Sequence, residues 1–152
     1  NTGLEQKELY DRVDDAVCAV RSALEEGILP GGGVAYLMCT DMLNDSYLKT
    51  KSKSRKTAIA VLLDVLHEPS NTILSNAGIA RDKQHNYVSW DTENKVWEGC
   101  NVKTKDRGDM IKMGIIDPLK VTKEALTNAV SVATTILSTN AIITMARSYD
   151  AK

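Results

Sequence analysis

The stretch Arg12–Met38, which reads RVDDAVCAVRSALEEGILPGGGVAYLM, decides the fold of this chain. Its first half belongs to a segment, Gln6–Glu26, in which apolar residues recur at helical spacing opposite a charged side, and this pattern predicts a long amphipathic helix. Gly27 is placed to end that helix in the left-handed conformation. The turn Gly31–Gly33 then leads into a second helix from Val34 and leaves backbone amides accessible at a helix start. The apolar positions of the first helix are Leu9, Val13, Ala16, Val17, Val20 and Leu24.

Helical periodicity continues beyond this stretch. Thr57–Leu66 is almost entirely apolar, which predicts a helix that is buried on most of its sides. Ser70 is placed to cap a short helix that closes at Gly78. Asp106–Met113 is predicted to form another short helix that stops at the following glycine. Asp117 precedes a proline, and an acidic cap followed by proline is a typical start of a helix. The small apolar residues after it indicate a long, closely packed helix.

Two segments carry the pattern of β-structure. Tyr87–Trp90 and Lys95–Trp97 flank a polar tetrapeptide, and this arrangement predicts a small β-hairpin. The apolar segment Ala141–Met145 predicts a terminal strand. The expected fold class is therefore mainly α: a helical bundle with a small β-hairpin and a C-terminal strand.

The composition limits the class of protein. The 152 residues are 43% apolar and 26% charged, which is typical of a globular domain. The net charge of -1 provides no overall field for nucleic acid, and no apolar run approaches the roughly 20 residues that a membrane-spanning helix needs. We therefore expect no nucleic acid and no membrane among the partners. Three widely spaced cysteines match no metal motif, so we expect no metal site.

Three features could carry chemistry, and each has an ordinary structural interpretation. The acidic pair Asp14 and Asp15 lies midway along the first helix, where carboxylates are usually just solvated. The Gly31–Gly33 turn matches neither a dinucleotide fingerprint nor a phosphate-binding loop. Asp117 is explained as a helix cap. The residues alone therefore leave an all-helical interaction module open, which amphipathic helices always permit.

The order of these features in one chain resembles the group I (GroEL-type) chaperonins. Residues 12–35 are similar to the family pattern RVxDAxxATRAAVEEGIVxGGGVA, and residues 109–122, DMIKMGIIDPLKVT, are similar to NMIxMGIxDPTKVT. The resemblance covers nearly the whole chain and implies a partial helical bundle of the chaperonin equatorial domain. Residues 1–27 would be one helix of the intermediate domain. Residues 28–152 would be the C-terminal part of the ATP-binding equatorial domain.

The resemblance also implies a nucleotide site. The aspartate of the family's VxDA element matches Asp15, which would act in catalysis by positioning the water that attacks the γ-phosphate. Gly32, in the glycine turn, would leave room for the ribose and the base. Asp117 would accept hydrogen bonds from the ribose hydroxyls, and Ile115 would face the adenine.

The strand that contacts adenine is the divergent part of the resemblance. The family's GYNA strand matches residues 99–102, so Asn101, Val102 and the following Lys103 are expected to contact the nucleotide. Group I members have a short GDGNYGYNA where this chain has a longer hairpin. Residues 97–104, WEGCNVKT, are instead similar to the WxGxNVxTG of group II chaperonins. This departure leaves the register of the adenine contacts open and suggests a divergent or viral member.

For the intact protein, the resemblance implies an ATP-hydrolysing chaperonin that encloses and refolds unfolded polypeptides. The cofactors would be ATP and Mg2+, the metal being held mainly by residues outside this chain. The family's GDGTTT phosphate-binding loop and its apical domain have no match here, so we expect a piece of a longer protein that is inactive by itself. The main alternative is a non-catalytic structural piece that keeps ring contacts without turnover.

The implied partners follow from the same resemblance. They are other copies of the chain in a ring, together with a co-chaperonin and unfolded polypeptides that bind through the apical domain. The expected location is the cytoplasm of a bacterium or of a phage-infected cell. A mitochondrial matrix or a plastid is the alternative.

Overall fold

The computed structural model describes residues 2–80, 87–91, 93, 96–141 and 143. Within these ranges the chain is mainly helical with short antiparallel strands, so the predicted fold class is confirmed. The helices are α1 (Gly3–Glu26), α2 (Val34–Leu37), α3 (Thr40–Lys49), α4 (Lys53–Val65), α5 (Glu68–Asn76) and α6 (Leu119–Leu137). The strands are β1 (Ile28–Pro30), β2 (Ser89–Asp91), β3 (Val96–Cys100), β4 (Arg107–Asp109) and β5 (Ile116–Pro118).

Helix α1 confirms the amphipathic helix that was predicted from Gln6, and it begins three residues earlier. Its start is a capping box, in which the Thr2 side chain accepts from the Glu5 N–H and the Glu5 carboxylate accepts from the Thr2 N–H. Its end is Gly27, whose φ of 96° lies in the region that glycine tolerates. Both ends are therefore fixed by local sequence.

Strands β1 and β5 form a two-stranded antiparallel ribbon that the sequence analysis missed. Leu29 pairs with Asp117, and Ile28 and Pro30 pair with the residues on either side of it. The Leu119 N–H also donates to the Gly27 carbonyl at 3.0 Å. Since α6 follows β5 directly, the ribbon ties the end of α1 to the start of α6, and these two helices pack against each other.

The predicted helix cap at Asp117 is wrong. Asp117 lies in β5, and Pro118 takes the N-cap position of α6 without any side-chain hydrogen bond. The long helix itself is confirmed. Because α6 begins at Leu119 with Pro118 as its N-cap, Asp117 lies one residue before the cap position.

The hairpin around the two tryptophans is confirmed. Strand β2 pairs with β3 in antiparallel register, with Trp90 opposite Trp97, and the two indole rings meet edge to face at a centroid distance of 6.0 Å. Cross-strand aromatic pairs of this kind are a main source of hairpin stability.

The short helix predicted over Asp106–Met113 is wrong. Residues Arg107–Asp109 instead form β4, which pairs with β3 and makes a three-stranded sheet. An ion pair between Arg107 and Glu98, at 3.1 Å, links the two strands. Turns follow up to Gly114, whose φ is 72°.

The helix predicted over Thr57–Leu66 is confirmed as α4, but its predicted burial is wrong. Within α4 only Ile59 is buried, while Val61 and Val65 are more than half exposed. The close packing predicted for α6 is wrong as well, because α6 has no buried residue and shares no core with α4. An open groove of about 500 Å³ separates them, lined by Tyr36, Val65, Leu66, Glu68, Pro69, Thr72, Ala125, Leu126 and Ala129.

The remaining predictions differ from the structure in detail. The helix expected from Val34 is divided into α2 and α3. Ser70 does not cap α5, because it is buried inside the helix and His67 occupies the cap position. Most of the expected strand at 141–145 lies outside the described residues. In the part of the chain that is described, no helix is long and apolar enough to cross a membrane.

Candidate functional site

The glycine turn lies directly against the segment that precedes β5. The Gly31 N–H donates to the Ile115 carbonyl at 2.9 Å, which extends the β1–β5 ribbon by one hydrogen bond. Gly32 and Gly33 then turn the chain into α2 with φ values of 68° and 79°. Two residues that the resemblance assigns to one nucleotide, Gly32 and Ile115, are thus brought close together from distant parts of the sequence.

The chain is closely packed at each position of the turn, and at Gly33 a Cβ would meet backbone atoms that cannot easily move. A Cβ built on Gly31 would lie 3.1 Å from the Ile115 Cγ2, and one on Gly33 would lie 2.7 Å from the Ser70 nitrogen. A Cβ on Gly32 would lie 2.7 Å from the Cε of Met110. The turn is therefore a point of close approach in the core, with or without a ligand.

Asp117 is a half-buried carboxylate on the opposite strand of the ribbon. Burial raises its pKa above the ordinary value, since the charged form is poorly solvated. Among the described residues no basic side chain forms an ion pair with it. A carboxylate in this state suits a ligand that donates hydrogen bonds, such as a sugar hydroxyl.

Asp117 lines a small apolar cavity next to α1. The cavity has a volume of about 170 Å³, which is smaller than the roughly 300–1,000 Å³ of typical ligand pockets, so it fits only part of a nucleotide. Nearby, the Tyr36 hydroxyl donates to the Thr122 carbonyl at 3.1 Å. Burial raises the pKa of Tyr36, and the charge of Asp117 adds to this. The cavity is lined by Ala19, Val20, Ala23, Ile28, Ile116, Asp117 and Pro118.

Asn101 lies just after β3, in a tight turn. Its N–H donates to the Asp106 carbonyl at 2.8 Å, and its side-chain Oδ1 accepts from the Lys103 N–H at 3.1 Å. Val102 is half-buried and Lys103 is exposed. This turn is connected to the glycine turn through β3, because both Met110 and Val34, the residue after the glycine turn, pack against Gly99.

Asp15 is an exposed residue of α1 and makes no described contact with the glycine turn. It lies one helical turn before Ala19, which lines the cavity beside Asp117. Four residues of an α-helix advance about 6 Å along its axis, so Asp15 lies about one helical turn away from that cavity. The neighbouring Asp14 is also exposed.

Two ion pairs join the end of α1 to the start of α6, and the sequence analysis missed both. Glu25 pairs with Lys120, and Glu26 pairs with Lys123 at 2.5 Å. The hydrogen bond from Lys120, together with its charge, lowers the pKa of Glu25, and the same contact raises the pKa of Lys120. No local pattern marks these pairs, because each joins residues of different elements.

Metal chemistry has no evident location in the described ranges. No group of three or more His, Cys, Asp or Glu side chains there is arranged to hold a metal ion. Cys18 and Cys39 are exposed, whereas Cys100 is buried at the end of β3.

The fold and the site define a mainly α-helical chain organised around a glycine turn and a short β-ribbon. The chain belongs to the TCP-1/cpn60 chaperonin family, whose model matches residues 1–147. The resemblance to the group I type is confirmed by relatives that are themselves named chaperonin GroEL.

Three similar relatives come from Orientia tsutsugamushi. One chaperonin GroEL of this organism is 42% identical over 143 residues, which cover 94% of this chain and 25% of the relative. The chaperonins GroEL of the strains Boryong and Ikeda are each 41% identical over the same share of both chains. The chain therefore spans about a quarter of the length of the curated relatives it matches.

Proposed function

We propose that this chain supplies the adenine and ribose side of the ATP site in a chaperonin that hydrolyses ATP. One observation carries the proposal: β1 and β5 pair so that the glycine turn lies against Ile115 and close to Asp117. These positions match separate family motifs, and a shared nucleotide gives a reason for bringing them together.

The ligand contacts divide between the two sides of the turn. Asp117 accepts hydrogen bonds from the ribose hydroxyls, Gly32 allows the sugar and base to approach the backbone, and Ile115 faces the adenine. Asn101, Val102 and Lys103 contribute adenine contacts from the turn after β3. Three consecutive residues are proposed because the longer hairpin leaves the register of these contacts open. ATP brings the triphosphate and its Mg2+, which are held mainly by residues outside this chain.

Asp15 is proposed as the catalytic carboxylate. Phosphoryl transfer to water requires an acceptor that holds the attacking water in line, and a carboxylate is suited to this task. The proposed division of the chain at Gly27 is relevant here, because it assigns Asp15 to the intermediate-domain segment 1–27 and the nucleotide contacts to the equatorial part 28–152. Rotation about that division would bring the Asp15 carboxylate toward the nucleotide.

The activity of the whole protein is proposed to be ATP-driven refolding of unfolded polypeptides in a ring of identical subunits. A co-chaperonin and unfolded polypeptides would bind through an apical domain. A bacterial or phage-infected cytoplasm is the proposed location, with a mitochondrial matrix or plastid as the alternative.

Substitution of the two neighbouring aspartates tests the catalytic assignment in the full-length protein. Asp15→Ala should lower kcat by about 100-fold or more while leaving the affinity for ATP nearly unchanged, since the residue acts on the water. Asp14→Ala is the matched control and should keep kcat within about two-fold. Equal loss of binding and turnover in Asp15→Ala would contradict the proposed role.

The alternative is a non-catalytic structural piece, or a divergent (group II-like or viral) chaperonin without independent turnover. The small cavity beside Asp117 and the tryptophan hairpin favour this alternative. ATPase assays on the wild-type full-length protein and on its Asp15→Ala variant separate the two functions, because only the first predicts turnover that depends on Asp15.

A further inference from the structure

Met110 occupies the centre of the candidate site, although no family motif assigns it a role. Its side chain is 2% exposed, and with Val34 it is one of the largest fully buried side chains of the described core. The Sδ lies 2.6 Å from a Cβ built on Gly99, and the Cε lies 2.7 Å from a Cβ built on Gly32. The Val34 Cγ2 also lies 2.9 Å from a Cβ built on Gly99, so this thioether and Val34 together fill the space between the glycine turn and β3.

The backbone of the same residue makes a third connection. The Met110 carbonyl accepts a hydrogen bond from the Ile115 N–H at 2.8 Å. The Ile115 carbonyl in turn accepts from the Gly31 N–H at 2.9 Å. Met110 therefore contacts, or is one hydrogen bond away from, the three segments that bear the proposed adenine and ribose contacts.

We propose that Met110 is a positioning residue that sets the separation between the glycine turn and the turn after β3. This inference rests on the proposed function, in which those two turns hold the same nucleotide. The glycines at 32 and 99 leave room for the side chain, and the unbranched thioether follows the narrow space between them. A shorter side chain lets the two segments move, which misplaces the base without removing any group that touches it.

Met113 provides a matched control within the same loop. It is a half-buried methionine whose Sδ lies 4.0 Å from a Cβ built on Gly108, in β4 and away from the glycine turn. Truncation of Met113 removes the same number of side-chain atoms as truncation of Met110. Truncation of Met110 therefore affects the contact between the glycine turn and β3, whereas truncation of Met113 affects a contact with β4.

The first experiment measures steady-state ATP hydrolysis and equilibrium ATP binding in the full-length protein. Met110→Ala should raise both KM and the dissociation constant by about ten-fold, which corresponds to about 1.4 kcal/mol, while kcat per folded active site changes less than about two-fold. Met110→Leu, which nearly conserves volume, should restore binding to within about three-fold. Met113→Ala should bind as the wild type does.

The second experiment measures, by amide hydrogen exchange without nucleotide, how firmly the glycine turn and the turn after β3 are held. Met110→Ala should speed exchange in residues 31–34 and 99–101 together, and Met113→Ala should leave both segments unchanged. If the wild type binds no ATP but both segments loosen, the proposed nucleotide function is wrong and the structural coupling stands. If ATP binds and Met110→Ala changes neither KM nor exchange, or if Met113→Ala has the same effects, the positioning role is overturned.

Discussion

Two glycines with the same φ differ in their surroundings, and this difference predicts different mutational costs. Gly33 and Gly78 both have a φ of 79°, but a Cβ on Gly33 meets the Ser70 backbone at 2.7 Å, whereas nothing lies within 4 Å of one on Gly78. Gly78→Ala should therefore cost only about 1–2 kcal/mol of unfolding free energy, the penalty for a left-handed residue. Gly33→Ala adds about 1–3 kcal/mol for overpacking. Urea denaturation of both variants measures the difference, and equal losses would contradict it.

Asp117 should make stability depend on pH in the direction opposite to a salt-bridged carboxylate. Its pKa in the folded state is raised by burial, so the folded protein binds the proton more tightly than the unfolded chain. Its contribution to the unfolding free energy therefore improves as pH falls through the raised pKa toward the ordinary value of 3.8. At neutral pH the charged form destabilises the fold.

The variant Asp117→Asn isolates this contribution. It should be at least as stable as the wild type at neutral pH, and the difference between the two should shrink as the pH is lowered. Urea titrations at several pH values measure this. In the full-length protein the same variant should weaken ATP binding, and a variant that is less stable yet binds ATP normally would contradict the proposed role of the carboxylate.

At the scale of elements, the ion pairs Glu25–Lys120 and Glu26–Lys123 should hold the end of α1 to the start of α6. A double-mutant cycle with Glu25→Gln and Lys120→Gln should show favourable coupling that weakens between about 0.1 M and 1 M salt, as the Debye length falls from about 10 Å to about 3 Å. Because the pKa of Glu25 is lowered, this contribution is present above the ordinary glutamate pKa of 4.5 and is lost as pH falls through the folded pKa.

The salt and pH dependence distinguish a real contact from a loss of helix stability. The i,i+4 pair of Arg12 and Glu8, which lies wholly within α1, serves as the control cycle. Substituting that pair should leave amide exchange at the start of α6 unchanged. A coupling between Glu25 and Lys120 that is absent at low salt would show that the two helices are held by other contacts.

The elements that the sequence predicted correctly are those whose signals are local. Helix α1 carries its own caps, α6 has a long apolar face, and the hairpin has aromatic residues on both sides of a polar turn. The helix at 106–113 was predicted wrongly because an isolated segment of that length is only marginally helical, and Gly108 weakens it by about 1 kcal/mol. Pairing with β3 determines the structure of this segment, and no pattern within residues 106–113 predicts that pairing.

The same reasoning applies to the candidate site. The resemblance supplied Gly32, Ile115 and Asp117, and the β1–β5 ribbon explains how distant residues come together. Nothing in the sequence marked the ribbon, because β1 has only three residues. The sequence did not mark Met110 either, since a side chain packed between two glycines has no sequence pattern.

At the scale of the whole molecule, apolar side chains remain on the surface of both long helices. Leu9, Val13, Val17 and Val20 are 50–63% exposed along α1, and we call this set the α1 stripe. Helix α6 has no fully buried residue, and α4 has one. Contiguous apolar surface of this kind usually marks a contact with another chain or with further parts of the same protein.

The α1 stripe leads to a prediction about assembly of the 152 residues taken by themselves. Burying one such side chain contributes roughly 1.5–3 kcal/mol, so four left in water forfeit an amount comparable with a typical stability margin of about 5–15 kcal/mol. We therefore expect the stripe to pack against a neighbouring copy, and the molecular mass measured by light scattering to rise with concentration. Val13→Glu with Val17→Glu should abolish this association, since two buried carboxylates are costly to desolvate.

The control for this prediction must change charge without touching the α1 stripe. Lys7→Gln with Arg21→Gln lowers the net charge by the same two units as the glutamate pair and lies outside the stripe, so this variant should still associate. Circular dichroism should show α1 helical in every variant, because its capping box is untouched. A wild-type chain that stays monomeric at all concentrations, with α1 protected from exchange and the stripe accessible to an apolar dye, would refute the prediction. Loss of association in both double variants would instead show that net charge, and not burial of the stripe, governs assembly.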